Sequence, residues 1–349
     1  MTETAFLGGW SHQQLTTNKQ KDVSLILALD FGGTKLAAAI AHADSQEWLG
    51  YKRRLSPANA DANTDLEIMR SLIHSLLPGE KPAAIGVSFG GPVDANSGTV
   101  RLSHHVPGWE NIPLRQLLAE EYGVSVGVDN DANVAALGEY RYGAGVGYDS
   151  LFYITVSTGV GGGWILNGKP WRGAEGMAGE IGHMVVDPAG PVCLCGKRGC
   201  VERLASGPYM ALDVREILLN EPQRRRGRGG EILRGLVNGN LELITGKVVS
   251  EAAAQGDELA QEILHRSAWA LGVGIGNVAN LINPQRFVLG GSVTKAGEGY
   301  WQVIRKVAQQ TALPEINFEV VPAGLGDDAP LWGAVTLALE AASRHYGEK

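Results

Sequence analysis

The stretch VSLILALDFGGTKLAAAIA, Val23–Ala41, decides how this chain is read. An apolar run stops at Asp30, a Phe-Gly-Gly-Thr turn follows, and a second apolar run, Leu36–Ala41, returns: buried strand, tight turn, buried strand. The pattern restarts at Leu151–Val156, with STGVGGG (Ser157–Gly163) as the second glycine turn and Trp-Ile-Leu as the second return. Two such units predict an internally duplicated architecture. Strands alternate with helices in both halves, so the expected class is α/β, as two domains with a cleft between them.

Working outward, Thr64–Leu77 reads as an amphipathic helix opened by a Thr64/Glu67 capping box. Ala84–Val87 is a strand that runs into the loop SFGGPVD, Ser88–Asp94. Pro113–Tyr122 reads as a helix, Val124–Val128 as a strand, and Ala132–Arg141 as a helix entered through Asp131. In Ser267–Asn283 a helical pattern carries Gly272, Gly274 and Gly276, spaced to let another element approach closely. Arg286–Leu289 is a strand ending in Gly290-Gly291-Ser292, and Ala329–Ala342 is the closing helix. The expected layout is a polar tail over 1–22, a first domain over 23–135 with the helix 329–343 packing back on it, and a second domain over 136–328.

Of 349 residues 48 are glycine, about twice the usual share of roughly 7%. No collagen-like period accompanies them, which points to tight turns and loops pressed against ligands. The net charge of −7 argues against nucleic acid or an anionic membrane as the main partner. The first residues lack a basic segment followed by an apolar run, so no signal peptide is expected, and no stretch is apolar enough for a membrane span. The three cysteines all lie between Cys193 and Cys200, which suggests metal rather than disulfides and a reducing compartment. The expectation is a cytoplasmic enzyme.

Four segments carry chemistry. In Asp30-Phe31-Gly32-Gly33-Thr34-Lys35, glycine N–H groups and the Thr34 hydroxyl can cradle a phosphate, and Asp30 can hold Mg²⁺ through water. An ordinary hairpin turn is the competing reading. Ser157–Gly163 has four glycines in five positions, more than a turn needs, and a backbone that must touch a ligand would explain them. In VDNDAN, Val128–Asn133, Asp131 sits where strand gives way to helix; it suits a general base, with Asn130 fixing a hydroxyl beside it, or simply a helix cap. The strongest segment pairs GEIGH, Gly179–His183, with CLCGKRGCVE, Cys193–Glu202. Three thiols and an imidazole make a closed tetrahedral zinc set over 183–200, structural rather than catalytic. Glu180 and Glu202 flank it, placed to face a substrate. A run of four arginines, at 224, 225, 226 and 228, reads as a solvated loop.

Taken in order, DFGGTK, VDNDAN, STGVGGG, GEIGH and CLCGKRGCVE resemble the ROK family of bacterial sugar kinases and sugar-responsive repressors, from about Val23 to Ser343. The resemblance implies two actin-like, ribonuclease H-like domains closing over sugar and ATP, with the zinc knuckle beside the sugar. It implies that Asp131 takes the proton of the sugar 6-hydroxyl, and that Asn130, Glu180, His183 and Glu202 hold the ring, joined by Gly91 and His105. His183 would serve twice, with one nitrogen on zinc and the other toward the sugar; Cys193, Cys195 and Cys200 complete the zinc set. Gly32, Gly33, Thr34, Lys35, Thr158 and Gly159 match the phosphate turns, and Gly290 and Gly291 the loop near the nucleoside. A homo-oligomer, dimer or tetramer, is implied as well.

Three departures from the family pattern stand out. Gly90 replaces a common proline, His105 a common sugar-binding asparagine, and Pro330-Leu331-Trp332 a small glycine-containing segment near the adenine pocket. The expected reaction is ATP-dependent phosphorylation of glucose at its 6-hydroxyl. The alternatives are another hexose (N-acetylglucosamine, N-acetylmannosamine, mannose or fructose), polyphosphate as donor, or a sugar-responsive regulator. The regulator is disfavoured by the acidic chain and by a lead segment of 22 residues with no basic recognition helix.

Overall fold

The computed structural model describes residues 24–103, 105–220 and 229–347; the tail at 1–22 and the arginine run at 224–228 lie outside them. In the first half the elements are β1 Leu25–Phe31, β2 Lys35–His42, β3 Trp48–Leu55, α1 Ala62–Leu76, β4 Ala84–Phe89, the short pair β5 Val93–Asp94 and β6 Thr99–Val100, α2 Leu114–Tyr122, β7 Ser125–Asn130 and α3 Asp131–Tyr142. The second half holds β8 Leu151–Val156, β9 Val160–Leu166, β10 Lys169–Trp171, α4 Val201–Ala205, α5 Gly207–Asn220, α6 Glu231–Leu236, α7 Gly246–Ala254, α8 Glu258–Ile282, β11 Arg286–Gly290, α9 Glu298–Thr311, β12 Glu319–Pro322 and α10 Ala329–Gly347.

The duplication is real. One sheet runs β3-β2-β1-β4-β7 and the other β10-β9-β8-β11-β12, the same order, with the first three strands antiparallel and the last two parallel to the central one. Register then brings chemistry to one end of each sheet. Asp30 pairs with Ser88, and Phe89 with Asn130, at the carboxyl ends of β1, β4 and β7. Gly290 pairs with Thr155 at the corresponding end of the second sheet. Carboxyl ends of parallel strands are where open α/β sheets bind ligands.

The chain passes between the sheets twice, after α3 and before α10, and both helices pack between them. Gly86, Gly138 and Gly333 make this possible: a Cβ there would stand 1.7 Å from the Ala334 carbonyl, 2.3 Å from that of Ala329 and 1.7 Å from that of Val134. Glu139, fully buried, accepts N–H groups from Ala144 at 2.8 Å, Gly324 at 2.9 Å and Leu325 at 2.8 Å, clamping the two crossings together. The glycines of α8 act as their spacing suggests. Gly272 and Gly276 lie against Val307 and Thr311 of α9, while Gly274 faces Val201 of α4.

Four expectations need correction. α1 is capped by Asp61, whose carboxylate accepts the Thr64 N–H at 2.8 Å, so Thr64 lies inside the helix and there is no Thr64/Glu67 box. α3 is capped by Asn130, which leaves Asp131 as its first helical residue. α8 begins at Glu258, nine residues before the apolar glycine-bearing segment, because its first turns are amphipathic, with Leu259, Ala260, Ile263 and Leu264 buried among polar neighbours, and show no continuous apolar run. The strand β3, exposed and cationic, gave no alternating pattern to find. The Pro-Leu-Trp departure belongs to the core: Trp332 stacks on Trp48 at 3.9 Å between centroids.

Candidate active site

One cavity of about 480 Å³ opens between the two sheets. From the first sheet it takes Gly33 and Thr34 of the β1–β2 turn, Gly91 and His105 of the loops after β4, and Asn130 with Asp131 at the β7–α3 junction. From the second it takes Thr158 and Gly159 of the β8–β9 turn, Glu180, His183 and Glu202. Segments distant in sequence thus meet on one space. Asp30, Gly32, Lys35, Gly290 and Gly291 stand outside its wall. Gly290 and Gly291 lie beside the second turn, where the Ser292 and Ser157 hydroxyls are 3.1 Å apart.

Asp131 is fixed from both sides. Its Oδ1 accepts the Ala132 N–H at 2.8 Å and the Asn130 amide at 3.0 Å, while that amide also donates to the Gly91 carbonyl at 3.1 Å. Burial pushes the Asp131 carboxyl up to about 6; the two donors pull it back, and the charge of Glu180 adds to the rise. A carboxylate so placed is a stronger proton acceptor than one in water yet remains ionised at neutral pH. Asp30 is pushed up to about 7, by burial first, with the Ser88 hydroxyl bond at 2.7 Å opposing and the Asp131 charge assisting.

The glycines divide by cause. Gly32 closes the hairpin through its N–H to the Lys35 carbonyl, and a Cβ there would sit 2.9 Å from that oxygen. Gly33 lies under the His105 ring, whose Cδ2 would be 2.5 Å from a Cβ. In the second turn, Gly159 faces Glu202 Oε2, while Gly162 and Gly163 are filled by Phe152, the Gly179 carbonyl and the Ala132 carbonyl. Packing therefore accounts for two of the four glycines that ligand contact was expected to explain. Gly161 alone has open space, with its nearest neighbours at 3.6 Å and 3.7 Å, and it lines the cavity.

The donor atoms of His183, Cys193, Cys195 and Cys200 all lie within 4.8 Å of one another. The Nδ1 of His183 is buried without a hydrogen-bond partner, as a metal-ligating nitrogen would be before the ion is counted. The Lys197 N–H holds the Cys195 thiol down at about 7, toward the thiolate that binds metal. Gly196 and Gly199, at φ +83° and +62°, turn the knuckle. Three protein groups fasten it: Arg203 donates to the Val192 carbonyl at 3.1 Å and pairs with Asp213, and Tyr209 accepts the Leu194 N–H at 3.1 Å. This donor set fits zinc.

Beyond the knuckle, Glu202 Oε2 accepts the Val160 N–H at 2.9 Å, so a residue two positions past the last cysteine also pins the second glycine turn. Sequence reasoning passed over Asp129, Arg172 and Thr155. Asp129 stands inside the quoted VDNDAN and could have been found there as a buried acid; nothing local marks Arg172.

Two sheets of one topology, each offering a glycine turn to a cleft that holds a strand-end carboxylate, define the actin-like two-domain phosphotransferase fold. The chain belongs to the ROK family, whose model matches residues 26–341. It is 31% identical over 320 residues to a glucokinase of Thermotoga maritima, covering 90% of this chain and 97% of that one. It is 36% identical over 315 residues to an N-acetylmannosamine kinase of Shigella flexneri, covering 90% and 98%. The crystal structure of a ROK family glucokinase from Streptomyces griseus in complex with glucose and AMPPNP superposes with a TM-score of 0.78 at 34% identity, covering 91% of this chain and all of that one.

Proposed function

We propose that the protein transfers the terminal phosphoryl group of ATP to the 6-hydroxyl of glucose, acting in the cytoplasm as a homo-oligomer. One observation carries the reading: a carboxylate raised to about 6 shares a single cavity with two glycine turns and with Asn130, Glu180, His183 and Glu202. Asp131 accepts the hydroxyl proton as the oxygen attacks phosphorus. Asn130, Glu180, His183, Glu202, Gly91 and His105 hold the ring, an acceptor-rich set suited to the hydroxyl donors of a pyranose. The N–H groups of Gly33, Thr34, Thr158 and Gly159 face the phosphates, with Gly32 and Lys35 closing the first turn behind them, and Gly290 and Gly291 face the nucleoside. Phosphoryl transfer needs positioning and charge stabilisation more than covalent chemistry, so these contacts supply most of the catalysis. Mg²⁺ arriving with ATP would neutralise phosphate charge, and Asp30 would hold it through water. Zinc, held by His183, Cys193, Cys195 and Cys200, has no open position and serves as structure. The lobes 23–135 with 329–343, and 136–328, close on the substrates and exclude water that would otherwise accept the phosphate.

A second reading, N-acetylmannosamine as the sugar, is favoured by the level of identity to the Shigella flexneri kinase. The test is kcat/KM for glucose, mannose, fructose, N-acetylglucosamine and N-acetylmannosamine at fixed ATP. Glucose is expected to rank first. If another sugar outranks it, the glucose assignment fails while sugar phosphorylation stands.

A further inference from the structure

Asp129 lies immediately before the Asn130–Asp131 pair, and its side chain is 3% exposed. Its Oδ1 accepts the Asn130 N–H at 2.8 Å and the Asn133 side-chain amide at 3.3 Å, so one oxygen grips the chain on both sides of Asp131. Its Oδ2 receives the Nε of Arg172 at 2.6 Å. A carboxylate buried this deeply needs a counter-charge, and the guanidinium provides it. The two partners come from opposite sides of the cleft: Asp129 is in β7 of the first sheet, while Arg172 directly follows β10 of the second. Arg172 also opens the loop that leads to Glu180, and its carbonyl accepts the Ala178 N–H at 3.0 Å.

We propose that Arg172 is a positioning residue for phosphoryl transfer: reaching across from the second sheet, it locks Asp129, and through Asp129 the Asn130–Asp131 junction, in register with the loop that carries Glu180. The inference rests on Asp131 as the proton acceptor. An ion pair that served stability alone would leave turnover of the folded enzyme unchanged. A positioning pair sets the geometry of the base, where small displacements are costly: about 1 Å of misplacement can reduce a rate by about 10²-fold.

The full-length enzyme and three variants, Arg172→Gln, Asp129→Asn and the double substitution, are compared by kinetics with glucose and ATP. Each single change is expected to lower kcat by about tenfold or more, with the KM for ATP within about twofold of wild type. The double variant should be no worse than the weaker single one, since both break the same link. Arg172→Lys, which keeps the charge without the planar fork, should fall between wild type and Arg172→Gln, and it carries the test if the glutamine variant does not fold. Independently of any substrate, hydrogen exchange in Arg172→Gln should quicken at residues 130–133 and 178–183. Unchanged kcat with only a lowered Tm, additive losses in the double variant, or unchanged exchange at the β7–α3 junction would each overturn the proposal. Should the wild type not phosphorylate glucose, the functional reading fails and the exchange measurement alone decides on Arg172.

Discussion

The two sheets share strand order and strand direction, yet they differ in what hangs from them. In the first, the fifth strand β7 ends in Asn130 and passes directly into α3 with Asp131 in its first turn. In the second, the fifth strand β12 ends at Pro322, and the chain goes on to the Glu139 clamp without contributing a residue to the cavity wall. The connection between third and fourth strands differs as much. The first sheet inserts α1; the second inserts the Cys/His knuckle and α4 to α8. The repeat fixes where strand ends meet a ligand, and the connections decide what chemistry each end performs.

The most direct way to break the comparison is to make the β7 end as inert as the β12 end. Asp131→Asn should lower kcat by about 10²–10⁴-fold while sugar binding changes little, the share a positioned base typically contributes. The same change should raise thermal stability. Burial lifts the folded-state carboxyl above its unfolded value near 3.8 to about 6, so the folded protein binds that proton more tightly. Stability therefore falls as pH rises between these values, and above about 6 the full cost of the buried charge is present. An amide removes the charge and keeps an oxygen for the Ala132 N–H. Kinetics together with a melting curve check both halves, and turnover above a few per cent of wild type would remove Asp131 from its role.

The insertion in the second sheet gives the next effect. Cys195→Ser opens one corner of the tetrahedral set, and the protein should lose its zinc, expected at about one per monomer. Glu202 follows Cys200 by two residues and pins the Val160 N–H, so the loss should reach both substrates: the sugar KM should rise by about tenfold or more, and the KM for ATP should rise with it. Metal analysis and a two-substrate kinetic grid test this. Full activity in a metal-free preparation would show that the knuckle does not position the site.

Much of this division was legible in the sequence, for a physical reason. Strand–glycine–strand units announce themselves through apolar runs broken at an acid, and four metal-type donors in a short span have few other uses. Less legible was anything decided by tertiary neighbours. Gly33 and Gly159 look alike in sequence, but one lies under the His105 ring and the other against a Glu202 oxygen. Trp332 was expected near the adenine pocket and stacks in the core, because its partner Trp48 comes from a strand without periodicity. Arg172 and Asp129 are far apart in the chain and meet only when the sheets face each other.

The two sheet-end acids of the first lobe can be separated by pH. If Asp131 alone must be ionised, kcat/KM should fall with unit slope below about pH 6, where its carboxyl takes up a proton. Glu180→Gln removes a charge that raises Asp131, so this limb should move to lower pH. A wild-type limb centred near 7 and unmoved by Glu180→Gln would instead assign the essential ionisation to Asp30.

The smallest effects come from the two hairpin turns, and they test whether the repeat is functional or only architectural. In the first turn, Gly33→Ala puts a Cβ 2.5 Å from His105 Cδ2 and 3.0 Å from His105 Cβ, so the whole side chain must move rather than the ring tip alone. The change should therefore be felt on the sugar side: a glucose KM raised by about threefold, from about 0.6 kcal/mol of lost binding, with the KM for ATP nearly unchanged. His105→Ala in the same chain removes the ring contacts and leaves only the Cβ at 3.0 Å, so it should recover most of the cost of Gly33→Ala. In the second turn, Gly161→Ala meets only ordinary contacts, so no change in folding or in Tm is expected. The added methyl group borders the cavity, however, and any effect it has must come from a bound substrate. A raised KM for either substrate with an unchanged Tm would mean that Gly161 is glycine for the ligand's sake. Wild-type kinetics would mean that none of the second-turn glycines except Gly159 is needed by the reaction, and that the glycine richness shared by the two hairpins is largely a matter of packing.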